Sequence, residues 1–137
     1  MYSGFIQLEG TTKSFHYILA ESQRDRTKDP FFIWFNGGPG CSSMLAFIKE
    51  HGPFILDDGA TQFRENPYSW NKEASILYIE MPAGVGYSTC ETKEDCTFDD
   101  DSTAADTMQV VLKWFEKYPE YKELDLYITG ESYAGVI

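Results

Sequence analysis

The sequence predicts an α/β fold with a largely parallel sheet, and three observations support this fold class. Two runs, Phe31–Phe35 and Ser75–Met81, are apolar at consecutive positions in their middle, as in strands buried on both faces. A helical pattern follows the second run and ends near Pro119. A third apolar run, Leu126–Ile128, follows the helix, and this βαβ order is typical of parallel sheets covered by helices.

The N-terminal residues predict a β-hairpin. Ser3–Glu9 and Ser14–Glu21 alternate between polar and apolar side chains, and Gly10–Lys13 supplies the turn between them. His16 lies in the middle of the second strand. We therefore interpret it as a surface or half-buried histidine and not as a catalytic base.

A glycine-rich loop, Asn36–Gly40, follows the strand Phe31–Phe35. Apolar residues at helical spacing then predict a helix over Ser42–Glu50, which Gly52 and Pro53 end. The loop matches neither the phosphate-binding pattern G-x-x-x-x-G-K-[ST] nor G-x-G-x-x-G. Two interpretations stay open, a plain turn or a loop whose N–H groups form an oxyanion hole.

The middle of the chain contains fewer signals. Residues Phe54–Trp70 are predicted to be irregular. Gly84 and Gly86 begin a G-x-G after the second buried strand, but Thr89 occupies the third glycine position, so no dinucleotide site is expected. A helix is predicted to start at Thr103 and to bury one apolar face. That face comprises Ala104, Met108, Val111, Leu112 and Phe115.

The segment after Leu126–Ile128 predicts a sharp strand-to-helix turn that exposes a serine. Gly130 and Ala134 are small, as expected where the strand and the following helix pass close to each other. The nucleophile-elbow pattern G-x-S-x-G is matched in part, since Ala134 stands at its fifth position. Ser132 is the candidate nucleophile, and such a serine needs an oxyanion N–H from an earlier strand–helix loop.

Length, charge and hydrophobicity indicate the number of domains and argue against several classes of protein. A length of 137 residues predicts one domain, and a net charge of −11 without a basic run argues against nucleic-acid binding. No apolar stretch is long enough for a membrane span, and the first residues do not resemble a signal peptide. Neither metal nor cofactor is expected.

The chain has three cysteines. Cys90 and Cys96 form either a local disulfide or two free thiols, and Cys41 has no evident partner.

Five motifs follow one another over nearly the whole chain: residues 34–43 (WFNGGPGCSS), 50–54 (EHGPF), 66–70 (NPYSW), 82–88 (PAGVGYS) and 130–135 (GESYAG). In this order they resemble the serine carboxypeptidase family, with greatest similarity to the lysosomal or vacuolar type such as cathepsin A. The resemblance implies an incomplete α/β-hydrolase fold, with residues 1–137 as the N-terminal part of a single domain. It also implies a carboxypeptidase that releases C-terminal residues from peptides at acidic pH.

The resemblance implies a role for each matching residue. Ser132 would be the acylated nucleophile, and the N–H groups of Gly38 and Tyr133 would form the oxyanion hole. Asn36 and Glu131 would hold the free C-terminal carboxylate of the peptide substrate. Trp34 and Glu50 would support that pair, and Cys41 would form a disulfide with a later cysteine.

In this family the triad partners follow the serine in the order Asp, then His, so both are expected beyond Ile137. His51 matches a structural position. We therefore expect a fragment that is inactive alone, from a protein that acts in a lysosome or vacuole or is secreted. A homodimer of the full-length protein stays open.

Two alternatives also stay open. One is an esterase or acyltransferase on the same scaffold, and the other is a non-catalytic domain that binds peptides or a partner.

Overall fold

A five-stranded mixed sheet organises the computed structural model, which describes residues 1–137. The strands are β1 (Tyr2–Gln7), β2 (Ser14–Ala20), β3 (Phe31–Phe35), β4 (Phe54–Ile55), β5 (Arg64–Glu65), β6 (Ser75–Ile79) and β7 (Leu126–Gly130), and the α-helix is α1 (Asp100–Lys117). Short helical turns cover Ala46–Glu50, Trp70–Lys72, Pro119–Tyr121 and Ser132–Gly135. The main sheet has the order β1-β2-β6-β3-β7, and β4 and β5 form a separate pair.

Half of the sheet is parallel. Strand β3 lies between β6 and β7 and runs parallel to both, as the sequence predicts. The prediction of a largely parallel sheet is wrong for the other half, where β1, β2 and β6 pair antiparallel. The short turn between β1 and β2 can join only antiparallel neighbours, so the predicted hairpin is confirmed. The antiparallel pairing of β2 with β6 was not predicted, because these strands lie far apart in the sequence and no local pattern specifies it.

Strand β3 is covered on both faces, which explains its uninterrupted apolar sequence. On one face Phe31 stacks on Trp114 of α1, with ring centroids 5.1 Å apart. On the other face Trp34 packs edge-on against His51 and Trp70, at 4.3 and 5.6 Å. Because β3 is held in a packed core, it fixes the position of the glycine loop that follows it.

Helix α1 begins at Asp100, three residues before the predicted start. The Asp99 side chain accepts from the Ser102 N–H at 2.8 Å, and the Ser102 hydroxyl accepts from the Asp99 N–H at 2.9 Å. This reciprocal capping box fixes the first turn.

The predicted apolar face of α1 is partly wrong, because Met108 and Leu112 are exposed. Two threonines lie on the buried face, which comprises Thr103, Thr107, Val110, Trp114 and Phe115. The Thr107 hydroxyl donates to the Thr103 carbonyl at 2.7 Å, which satisfies a polar group inside the core. The hydrophobic pattern therefore did not identify the buried face of α1, because two of its residues are threonines.

Two other segments differ from the predictions. The helix predicted over Ser42–Glu50 is present from Met44 to Glu50, but its last five residues, Ala46–Glu50, are π-helical. Residues Phe54–Trp70 contain the β4–β5 pair, whose strands are too short to show alternation.

A disulfide joins Cys90 to Cys96, which decides between the alternatives that the sequence left open. Cys41 is exposed and has no disulfide partner within these residues. None of the helices combines the length and the hydrophobicity that a bilayer crossing requires.

Replacing Asp99 by alanine is expected to lower the free energy of unfolding by about 1 kcal/mol, because the Ser102 N–H loses its acceptor. Urea denaturation of the protein that contains this chain measures the change. Glu116→Ala, at an exposed position near the other end of α1, is the control and should not destabilise. Unchanged unfolding of Asp99→Ala would contradict the capping account.

His51 predicts an acid-sensitive contribution to stability. Burial lowers its pKa from 6.5 to about 4, so between these pH values the unfolded chain binds a proton that the folded chain does not. The free energy of unfolding should therefore fall as the pH is lowered through this window and level off below it. Denaturation curves at several pH values test this, and His51→Gln should show a weaker pH dependence. An equal dependence in both proteins would refute it.

Candidate active site

The candidate site forms where the carboxyl ends of β3 and β7 meet. The two strands pair in parallel with Phe35 opposite Gly130, and the Glu131 N–H donates to the Phe35 carbonyl at 3.3 Å. This register brings the glycine loop, which follows β3, beside the turn that follows β7. The site is therefore a consequence of parallel pairing at the sheet's carboxyl edge.

Ser132 stands at a sharp turn in a left-handed backbone conformation, with φ at +54°. It is the one non-glycine residue in the chain with a positive φ, and it is exposed. An L-residue in this region is strained by about 1 kcal/mol, and such strain is typical of nucleophile elbows.

The small residues around Ser132 are required by space, as the sequence predicts. A Cβ added at Gly130 would lie 2.7 Å from both the Phe35 carbonyl oxygen and the Ala134 Cβ. Strand β7 and the turn Ser132–Gly135 therefore cross at a distance that larger side chains would not permit.

The glycine loop lies directly against the elbow. A Cβ added at Gly37 would be 2.7 Å from the Glu131 carbonyl oxygen and 2.8 Å from the Tyr133 nitrogen. The next residue, Gly38, has a φ of +113°. Neither the Gly38 N–H nor the Tyr133 N–H donates to another group of the chain, so both are free to donate to an acceptor near Ser132.

A line of hydrogen bonds leads from the core to the loop and the elbow. The Trp34 indole N–H donates to Asn36 Oδ1 at 2.9 Å, and Asn36 Nδ2 donates to Glu131 Oε1 at 3.3 Å. Because an indole nitrogen can only donate, it fixes the orientation of the Asn36 amide and turns the NH₂ group toward Glu131. Trp34 and Asn36 are buried, whereas Glu131 is exposed.

Glu50 completes this polar cluster. Burial raises its pKa, the nearby charge of Glu131 raises that pKa further, and the Asn36 amide opposes both effects. The two carboxyl groups therefore repel each other when both are ionised, and protonation of one of them removes this repulsion. Burial and the charge of Glu50 also raise the pKa of the Tyr78 hydroxyl.

The two histidines of the chain have other partners. His51 stacks on Trp70 at 4.1 Å, and its Nδ1 lies 3.0 Å from the Tyr78 hydroxyl. The prediction of a surface or half-buried His16 is wrong, because its side chain is buried with Nδ1 2.9 Å from Glu80 Oε2. The hydrogen bond to the Glu80 carboxyl group offsets the free-energy cost of burying the imidazole.

Two residues of this region were missed by sequence reasoning. Glu80 is buried at the end of β6, inside a run interpreted as apolar, and Tyr78 contacts His51. An acidic residue that interrupts a buried strand just before a glycine-rich turn was the available signal for Glu80.

The sequence is similar to a known protein family and to its characterised members. The family model described as serine carboxypeptidase matches residues 1–137. Serine carboxypeptidase ctsa-4.1 of Caenorhabditis elegans is 47% identical over 98% of this chain and 28% of its own length. The lysosomal protective protein of Mus musculus is 44% identical, with the same two coverages of 98% and 28%.

A solved structure agrees with these relatives. The crystal structure of Kex1(delta)p, a prohormone-processing carboxypeptidase from Saccharomyces cerevisiae, superimposes with a TM-score of 0.76 at 27% identity. The alignment covers 98% of this chain and 31% of the yeast chain. The main sheet and its elbow are thus a partial α/β-hydrolase fold, and the chain spans about 28% of the curated relatives' length. The chain belongs to the serine carboxypeptidase family.

Proposed function

We propose that this chain supplies the nucleophile and the substrate-carboxylate site of a serine carboxypeptidase that releases C-terminal residues from peptides at acidic pH. One observation carries the proposal. The exposed Ser132 stands at a left-handed elbow that the glycine loop packs against, the N–H groups of Gly38 and Tyr133 have no acceptor within the chain, and the neighbouring Glu131 is hydrogen-bonded to Asn36. The groups proposed for covalent attack and for recognition of a carboxylate therefore lie together at the carboxyl ends of β3 and β7.

In this proposal Ser132 Oγ attacks the carbonyl carbon of the last peptide bond. The N–H groups of Gly38 and Tyr133 stabilise the oxyanion that forms, the C-terminal residue leaves, and water hydrolyses the acyl-enzyme. The reaction needs a general base. We assign that role to a histidine, oriented by an aspartate, in the part of the relatives' length that this chain does not span.

Substrate selection in this proposal depends on a shared proton. The C-terminal carboxylate of a peptide can hydrogen-bond to a carboxyl group only when that group is protonated. The raised pKa of Glu50, beside Asn36 and Glu131, extends toward higher pH the range in which the cluster holds a proton. Ionisation at higher pH would repel the substrate.

We further propose that the protein acts in a lysosome or vacuole, or outside the cell. The Cys90–Cys96 disulfide supports an oxidising compartment, and a relative named lysosomal protective protein agrees with it. Its partners would be peptides with a free C-terminus.

The direct test compares a peptide with its C-terminal amide, using the full-length protein that contains this chain. The free acid should be cleaved with a much lower KM. Asn36→Ala should raise KM about tenfold with little change in kcat, because a charge-assisted hydrogen bond to the substrate is lost.

Asn71→Ala is the matched control, since it removes another buried amide that donates to a main-chain carbonyl, of Glu21, outside the site. It should reduce stability and leave KM unchanged. Equal cleavage of acid and amide would favour an esterase or acyltransferase, and no turnover would favour the non-catalytic alternative.

The pH dependence of KM tests the shared proton. KM should rise as the pH increases through the raised pKa of Glu50, while kcat follows the separate titration of the base. Glu50→Gln, which is neutral at every pH, should flatten the KM profile. Glu65→Gln, at an exposed position on β5, should retain the wild-type profile. A flat wild-type KM from about pH 4 to 8 would refute the mechanism.

A further inference from the structure

Glu80 is a buried acid that the proposed reaction does not use. It follows the last residue of β6, and its side chain is 1% exposed. A carboxyl group at such depth is costly unless its oxygens are hydrogen-bonded. Its surroundings therefore indicate what it does in the fold.

Three groups surround the Glu80 carboxyl group. Oε1 accepts from the Ser42 hydroxyl, and Oε2 accepts from the Tyr87 N–H at 2.8 Å and lies 2.9 Å from His16 Nδ1. Gly86 passes so close that a Cβ there would overlap the carboxyl group, and its φ is +57°. The chain thus wraps around Glu80 from three separate segments.

One of these contacts leads to the glycine loop. Ser42 lies two residues after the loop, and its Oγ also accepts from the Met44 N–H at 3.1 Å. The neighbouring Ser43 hydroxyl donates to the Ile79 carbonyl at 2.6 Å and accepts from the Asn36 N–H at 3.2 Å. Both ends of the loop are therefore tied to the carboxyl end of β6.

We propose that Glu80 is a positioning residue that acts through Ser42 to fix the glycine loop against the elbow. Asn36 holds the start of the loop through its own hydrogen bonds, whereas Ser42 holds its far end, beyond glycines that restrict the backbone weakly. A fixed loop keeps the Gly38 N–H aimed at the developing oxyanion and spares reorganisation in the transition state. This inference rests on the proposed function of Gly38.

Glu80→Gln tests the inference in the full-length protein. Glutamine keeps the volume but replaces one accepting oxygen by an NH₂ donor, which either faces the Tyr87 N–H, a group that can only donate, or reverses the direction of the hydrogen bond with the Ser42 hydroxyl. We expect kcat for peptide hydrolysis to fall about tenfold, with KM unchanged, because an oxyanion contact strengthens only in the transition state. Ser42→Ala should produce the same loss, and the double variant should lose little more.

Ser88→Ala is the control. Its hydroxyl donates to the Glu80 main-chain carbonyl at 2.8 Å and accepts from the His16 N–H at 2.9 Å, without contacting Ser42. It should lower the melting temperature and keep kcat. Wild-type kcat in both Glu80→Gln and Ser42→Ala would overturn the inference, and so would an equal kcat loss in Ser88→Ala.

Two further outcomes are distinguished. If Glu80→Gln does not fold, Ser42→Ala alone decides, since it removes the same contact from an incompletely buried position. If the wild-type protein does not cleave peptides, the proposed function fails. The rate of Ser132 labelling by a fluorophosphonate then decides, because oxyanion N–H groups assist that reaction too. Slower labelling of Glu80→Gln than of Ser88→Ala would support the inference, and equal rates would overturn it.

Discussion

The close approach of the glycine loop to the elbow is the constraint on which the rest of the site depends. Gly37 leaves no room for a side chain against the Glu131 carbonyl and the Tyr133 nitrogen, and Gly130 leaves none against Phe35. The parallel register of β3 and β7 sets this distance. Any change that shifts one strand along the other would separate Ser132 from the N–H groups that are proposed to assist it.

The same approach creates the polar cluster. Asn36 begins the glycine loop and Glu131 precedes Ser132, so bringing the loop and the elbow together also brings the amide and the carboxyl group together. Trp34 orients the amide from the core, which couples packing of the sheet to the geometry of the site. In the proposed mechanism one backbone arrangement therefore determines both where the serine attacks and which end of a peptide it meets.

The strands and the close packing at the elbow could be predicted from sequence better than the details of helix α1 and the partners of buried polar residues. Where the backbone leaves no room for a side chain, as beside Ser132, only glycine fits, and the sequence therefore indicates the geometry. The start of α1 was displaced because Asp99 and Ser102 form the cap in place of the expected Thr103, and Thr107 concealed the buried face. The burial of His16 depends on Glu80, 64 residues away, and long-range pairs of this kind leave no local pattern.

The most direct measurement is covalent labelling of the full-length native protein with a fluorophosphonate, followed by peptide mapping by mass spectrometry. An activated serine at an elbow with free oxyanion N–H groups predicts one adduct, on the peptide that contains Ser132, and its loss in Ser132→Ala. A folded full-length protein that remains unlabelled at Ser132 would contradict the account and leave the elbow as a non-catalytic feature.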